Sequence, residues 1–181
     1  MARYRYLCPL RWGDMDAYGH VNNVLFLRYL EQARIGMFHA AAPDDGGGLV
    51  DTGILVARHE IDYLRPLRYR QLPVAIDVWV TDIAAASFEV CYEVLDPAEP
   101  LDPAEPLDRA QVLDPAEPPD PAAAGAAGDI VYARAESTMV VYDFSRNAPR
   151  RLNPDEQARL RPWEEAPVAL KRRDRPAPRG R

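Results

Sequence analysis

The chain has 181 residues, a length that favours one well-buried domain over two independent ones. Its hydrophobic content of 48% is ordinary for a globular protein, whereas 18 prolines are an unusually high number. The N-terminus lacks a secretory signal pattern, and no apolar run approaches the length of a membrane span. These features predict a cytoplasmic protein without a membrane partner.

The net charge of −6 is distributed unevenly, because residues 95–128 contain eight acidic residues and only one basic residue. This segment also contains eight of the prolines and three copies of LDPAEP. The repeat is too short and lacks the aromatic residues needed to form a core, so we expect a disordered insertion. We expect residues 164–181 to form a flexible basic tail. A basic tail alone is not enough to predict nucleic-acid binding.

The remainder of residues 1–163 has the periodicity of a single α+β domain. It begins with an alternating, strand-like pattern at residues 3–12. Asn22 or Asn23 can then cap a long, widely apolar helix that ends before the glycines at 46–48. Four further strands follow, at residues 54–64, 72–80, 88–94 and 130–144. A short helix is predicted after Asn153.

This order of elements describes one curved antiparallel sheet of about five strands wrapped around one long helix. The insertion falls between the last two strands, where a hairpin turn would otherwise lie. Free strand edges and the apolar helix surface predict a homodimer or homotetramer. Cys8 and Cys91 lie in apolar strand patterns, which favours buried, reduced thiols over a disulfide.

Polar residues are concentrated between the first strand and the helix, in RWGDMDAYGHVNN at residues 11–23. The first turn of a helix offers unpaired N–H groups and the positive end of the dipole, which favour a developing oxyanion. Asp16 lies just upstream, where a carboxylate could act as a general base or attack a carbonyl. The alternative is that Asp14 and Asp16 are ordinary turn residues and Asn22 is only a cap.

This segment resembles the signature of the 4-hydroxybenzoyl-CoA thioesterase family of hotdog-fold proteins. The pattern D-x-D-x-x-G-H-V-N-N is present at residues 14–23, followed by YLEQAR at 29–34. The sequence IDYLRP at residues 61–66 also resembles the second strand of the family. The resemblance covers residues 3–94 and 129–160, and it implies a hotdog fold that hydrolyses coenzyme A thioesters.

The resemblance implies that Asp16 is the catalytic carboxylate and that a backbone N–H near Asn23 polarises the carbonyl. Gly19 would allow a close approach, Asp14 would be the supporting acid, and His20 could be catalytic or could orient the loop. The phosphates of coenzyme A would attract exposed cations. The substrate-binding candidates are Tyr63, Arg65, Arg68, Arg146 and Arg150.

No cofactor or metal is predicted beyond the coenzyme A carried by the substrate, because dinucleotide and P-loop motifs are absent. A hotdog dehydratase or hydratase would need an Asp–His pair with four residues between them. Here three residues separate Asp16 from His20 and five separate Asp14 from His20. A non-catalytic acyl-CoA-binding module stays open as an alternative.

Overall fold

The computed structural model describes residues 3–42, 48–49, 53–96 and 130–171. Each strand and helix predicted from the sequence is present there, with boundaries that differ by a few residues. The elements in chain order are β1 (Tyr4–Cys8), α1 (Asn23–Ala40), β2 (Ile54–Tyr63), β3 (Val74–Thr81), β4 (Ser87–Leu95), β5 (Val131–Asp143), β6 (Ala148–Pro149) and α2 (Pro154–Leu160). Short 3-10 turns precede α1, at Trp12–Asp14, and follow α2, at Arg161–Trp163.

The sheet is antiparallel throughout, with the strand order β1-β3-β4-β5-β2, and β6 pairs with the end of β5. Helix α1 packs on this sheet through contacts with β1 and β3. Strand β2 lies at one edge, and the long helix precedes it in the chain. The predicted α+β arrangement, a helix against an antiparallel sheet of about five strands, is confirmed.

The core lies between α1 and one face of the sheet. Because side chains alternate along each strand, one row per strand points to the same face. Tyr4, Val78 and Tyr92 form such a row in neighbouring strands, and each is at most 1% exposed. Spacings of three or four residues give α1 one buried stripe. Its apolar members include Phe26, Leu30, Ala33, Met37 and Phe38.

Helix α1 begins where a side chain can cap it. The side-chain oxygen of Asn22 accepts a hydrogen bond from the N–H of Val24 at 3.1 Å, so Asn22 is the N-cap. At the other end, the N–H of Ala41 donates to the carbonyl of Met37. The cap fixes the first turn of α1 against the loop that precedes it.

No helix in the described part of the chain is both long and apolar enough to cross a membrane.

The opposite face of the sheet is partly covered by residues 164–171, which were predicted to begin the flexible tail. The indole N–H of Trp79 donates to the carbonyl of Ala166 at 2.8 Å. Each apolar side chain buried there contributes about 1.5–3 kcal/mol, which favours docking of this segment. The ordered domain therefore extends past residue 163 to at least 171, and the rest of the predicted tail lies outside the described residues. The cluster consists of Trp79, Cys91, Val168 and Leu170.

Both cysteines are free and buried, as the strand patterns predicted. Burial raises the pKa of the Cys8 thiol to about 12. Because the thiolate is the reactive form, this thiol should be inert at neutral pH.

The insertion predicted at residues 95–128 joins neighbouring strands, and residues 97–129 lie outside the described residues. Strands β4 and β5 pair as far as Leu95 and Val131, and the N–H of Asp96 donates to the carbonyl of Ile130 at 3.0 Å. A short Asn-Gly turn in place of residues 97–129 should therefore leave Tm within about 5 °C of that of the full chain. Thermal unfolding followed by circular dichroism tests this, and a much larger drop would mean that the repeats pack on the domain.

Candidate active site

The polar segment between β1 and α1 folds into a tight, hairpin-like loop. Met15 and Val21 form an antiparallel bridge at its base. Within the loop, the N–H of Asp16 donates to the carbonyl of His20 at 2.8 Å, and the N–H of Gly19 donates to the carbonyl of Asp16 at 3.1 Å. These bonds place Asp16 and His20 on either side of a three-residue turn.

The carboxylate of Asp16 is held by its own loop. Oxygen Oδ1 accepts hydrogen bonds from the N–H of Tyr18 at 2.8 Å and from the N–H of His20 at 3.4 Å. Oxygen Oδ2 has no hydrogen-bond partner among the described residues, and the side chain is only partly buried. One oxygen of Asp16 is therefore fixed while the other can reach water or a ligand.

A cleft with a volume of about 330 Å³ lies between this loop, the start of α1 and the end of β2. A concave site with an apolar wall and a few convergent polar groups is typical of small-molecule binding. Its polar and charged lining residues are Asp16, His20, Asn23, Tyr63 and Arg65. Its apolar lining residues are Val21, Phe26, Leu64, Pro66 and Leu67.

The first residue of α1 supplies a backbone donor to this cleft. In the part of the chain that the structure describes, the N–H of Asn23 has no hydrogen-bond acceptor. The hydroxyl of Tyr63 donates to the carbonyl of Asn23 at 3.1 Å, which holds the end of β2 against α1. An unpaired N–H at the positive end of a helix can stabilise an oxyanion.

Asp14 lies behind the loop and does not line the cleft. Its Oδ2 accepts a 2.5 Å hydrogen bond from the hydroxyl of Tyr29, and its carbonyl accepts one from the N–H of Asn22 at 2.9 Å. Burial, together with this carboxylate, raises the pKa of Tyr29 above its ordinary value, so the phenol keeps its proton and remains a donor. Asp14 thus connects the loop to α1 at two points.

Two of the predicted substrate-binding residues line the cleft, and a third follows them closely in the chain. Tyr63 and Arg65 line it, and Arg68 is exposed on the continuation of the same segment. The guanidinium groups of Arg65 and Arg68 have no hydrogen-bond or ion-pair partner among the described residues. Both are therefore available to an anionic ligand.

The other two candidates, Arg146 and Arg150, lie between β5 and α2 and are not among the residues lining the cleft. The side chain of Arg146 is mostly exposed, and its guanidinium forms a 3.6 Å ion pair with Asp143. Arg150 donates through two nitrogens to the buried carboxylate of Glu156, at 2.6 and 2.8 Å. Since Glu156 occupies these donors, Arg150 has a structural role at the start of α2, and the site proposed below does not use it.

The apolar wall of the cleft and the contact made by Tyr29 were not predicted from the sequence. Phe26 belongs to the buried apolar stripe of α1 and is 3% exposed, yet its ring also meets the ring of Tyr63 edge-on at 5.3 Å. Tyr29 follows Phe26 by three residues, so both lie on the same side of α1. A buried tyrosine needs a hydrogen-bond partner for its hydroxyl, so the acid in the adjacent loop, Asp14, was the sequence signal from which this contact could have been predicted.

Gly19 gives the loop a conformation that other residues adopt at a cost. Its φ is +72°, in the left-handed region, although a Cβ would meet nothing within 4 Å. We expect Gly19→Ala to lower the free energy of unfolding by about 1 kcal/mol. Gly13→Ala is the matched control, because Gly13 also has open space but no positive φ. Urea unfolding compares them, and equal losses would contradict a conformational cause.

A match to a family model shows which proteins this chain is related to. The family model described as the thioesterase-like superfamily matches residues 10–165. The chain belongs to the thioesterase-like superfamily. This membership confirms the prediction of a thioester hydrolase and supports the hotdog resemblance at the level of the superfamily. None of the curated proteins matches the sequence.

Several solved structures with a similar fold are named as thioesterases. A thioesterase from Thermus thermophilus, complexed with coenzyme A and Zn, is 25% identical with a TM-score of 0.62, over 91% of this chain and 96% of that one. A predicted thioesterase from Bacillus stearothermophilus is 19% identical with a TM-score of 0.66, over 92% and 100%. A 1,4-dihydroxy-2-naphthoyl-CoA thioesterase from Synechocystis is 15% identical with a TM-score of 0.60, over 88% and 96%. The last two likenesses concern the fold alone.

Proposed function

We propose that this member of the superfamily hydrolyses an acyl-coenzyme A thioester to the free acid and coenzyme A. The observation that carries the proposal is that Asp16 and Asn23, whose N–H has no acceptor among the described residues, line the same cleft. A thioester carbonyl bound there would meet a carboxylate and a backbone donor at the positive end of α1. The coenzyme A bound to the Thermus protein supports this ligand class.

In the proposed reaction, the carboxylate of Asp16 takes a proton from a water molecule that attacks the carbonyl carbon, or attacks that carbon itself. The carbonyl oxygen gains negative charge in the tetrahedral intermediate, where the N–H of Asn23 stabilises it. In the general-base route the C–S bond then breaks, and the sulfur takes the proton held by Asp16 and leaves as the thiol of coenzyme A. In the nucleophilic route the sulfur leaves as a thiolate, and water then hydrolyses the acyl-aspartyl anhydride, which releases the acid, restores the carboxylate of Asp16 and supplies the proton of the thiol. Water supplies the oxygen and protons of the products, so the proposal requires no further cofactor or metal.

The two ends of the substrate would contact different parts of the cleft. The apolar wall around Phe26 and Leu67 suits the acyl group, since removing apolar surface from water is favourable. Arg65 and Arg68 would bind the phosphates of coenzyme A, and Tyr63, whose hydroxyl donates to the carbonyl of Asn23, would lie beside the bound substrate. His20 lines the same cleft and could orient the substrate or the loop.

Steady-state release of free thiol from a panel of acyl-coenzyme A compounds tests the proposal. We expect thiol release above the uncatalysed rate for at least one acyl group, and loss of that release when Asp16 is replaced. Calorimetry with the same compounds supplies the second measurement. Tight binding without thiol release from any compound would instead identify a non-catalytic acyl-CoA-binding module.

We also propose that the protein assembles as a homodimer or homotetramer. Strand β2 lies at the edge of the sheet, where backbone N–H and carbonyl groups are open to pairing. Apolar side chains are exposed on it and on α1, including Leu55, Val56, Val24 and Leu27. Analytical ultracentrifugation should give twice or four times the mass of one chain, and Val56→Lys should weaken the assembly. A monomer at micromolar concentration would contradict it.

A further inference from the structure

We propose that Tyr29 is a positioning residue for Asp16, acting through Asp14 without touching the substrate. The inference rests on the proposed function, in which Asp16 is the reacting carboxylate. Three observations carry it: the anchoring of Asp14, the isolation of Asp16 from other elements, and the absence of Tyr29 from the cleft lining.

Asp14 is the residue that ties the base of the loop to α1. Its carboxylate binds the hydroxyl of Tyr29 and its carbonyl binds the N–H of Asn22, about two helical turns apart along the chain. Tyr29 is 5% exposed, and its ring packs against Phe26 at 6.2 Å, so its hydroxyl has little freedom to move. A hydrogen bond to a charged acceptor from a fixed donor is among the stronger protein hydrogen bonds.

Asp16 has no such anchor of its own. Its carboxylate accepts hydrogen bonds only from the N–H groups of Tyr18 and His20, which belong to the same loop, within the described ranges. The position of Asp16 relative to the N–H of Asn23 therefore depends on how the whole loop is held. The hydrogen bond from Tyr29 to Asp14 lies two residues before Asp16 and joins this loop to the body of α1. A second tie is the backbone hydrogen bond from the N–H of Val21 to the carbonyl of Leu67 at 2.8 Å, which lies beyond Asp16 in the chain.

Tyr29 does not line the cleft in which the substrate is proposed to bind, so it acts without touching the substrate. It lines a separate cavity of about 120 Å³ behind the loop, together with Asp14, Cys8 and Arg28. The lining of the catalytic cleft does not include it. Because burial and the neighbouring carboxylate raise the pKa of Tyr29, its hydroxyl is a permanent donor and not an acid in the reaction.

Tyr29→Phe removes only the hydroxyl and leaves the buried ring in place. We expect kcat to fall on the order of tenfold, because small misplacements of a reacting group are costly, while KM changes less than about twofold. Tyr132→Phe is the matched control, since Tyr132 also donates to an aspartate, Asp96, at 2.7 Å. The control should lose a similar amount of stability and keep its kcat.

The double variant Tyr29→Phe, Asp16→Asn separates positioning from a general structural effect. If Tyr29 acts through Asp16, adding Tyr29→Phe to Asp16→Asn should leave the residual rate unchanged. An equal loss in both backgrounds, or a loss of kcat shared by Tyr132→Phe, would overturn the proposal. If Asp16→Asn abolishes thiol release but Tyr29→Phe leaves kcat unchanged, the positioning role is refuted and the proposed function stands.

Amide hydrogen exchange gives a readout that does not depend on activity. Tyr29→Phe should speed exchange at the N–H groups of Tyr18, His20 and Asn22, all of which are bonded within this loop. Exchange in β4 should stay as in the wild type. Unchanged protection of the loop would overturn the positioning role even if the protein releases no thiol.

Discussion

Asp16→Asn should lower kcat for thioester hydrolysis on the order of 10²- to 10⁴-fold, the range for removing a positioned general base. The amide keeps the size of the side chain, and its oxygen can still accept the hydrogen bond from the N–H of Tyr18. It can neither take a proton from water nor attack a carbonyl. We expect KM and the affinity for the product coenzyme A to change little, because the proposed phosphate contacts of Arg65 lie elsewhere in the cleft.

Two controls sharpen this measurement. Asp143→Asn alters another turn in which a carboxylate accepts backbone N–H groups, those of Ser145 and Arg146, and it should keep the wild-type kcat. Asp14→Asn should reduce kcat less than Asp16→Asn, because Asp14 holds the loop and does not line the cleft. Near-normal turnover by Asp16→Asn would falsify its assignment as base or nucleophile.

Glu156→Ala should lower the free energy of unfolding by about 3 kcal/mol, the lower end of the range for breaking a buried ion pair. Glu156 is 2% exposed, and its carboxylate accepts two hydrogen bonds from Arg150 and one from the N–H of Asn153. Alanine leaves these donors without an acceptor in the interior. The loss stays near the lower end because the Arg150 side chain is 25% exposed and can recover some hydration.

Chemical denaturation of purified variants measures this effect. Glu156→Gln should lose less than Glu156→Ala, since its amide oxygen can still accept one hydrogen bond. Arg146→Ala is the control for an exposed pair: its side chain is 84% exposed, so the loss should be close to zero. Similar losses for Arg146→Ala and Glu156→Ala would contradict the importance of burial.

Sequence patterns predicted most of the secondary structure because those patterns are local. The alternation at 130–144 matches β5, and the cap predicted at Asn153 is present as a full capping box with Glu156. Both depend on residues a few positions apart. Strand β6, at Ala148–Pro149, was missed because two residues next to a turn carry no periodic signal.

The docking of residues 164–171 could not be predicted in the same way. Val168 and Leu170 alone look like apolar residues in a polar tail, and only the sheet reveals Trp79 and Cys91 beneath them. The partners are separated by more than 70 positions in sequence. Hydrophobic burial is not directional, so composition cannot indicate which surface a short segment will cover.

The residue types at the site were predictable from the sequence, because the carboxylate of Asp16 lies six residues before Asn22, the cap of the following helix. The sequence could not show which arginines lie in the cleft, because Arg65 and Arg150 are equally basic. The tertiary structure brought β2 to the start of α1, which placed Arg65 in the cleft, whereas Arg150 is bonded to Glu156, six positions along the chain. Charge and capping are properties of a residue and its neighbours, whereas the availability of a charge depends on contacts that only folding creates.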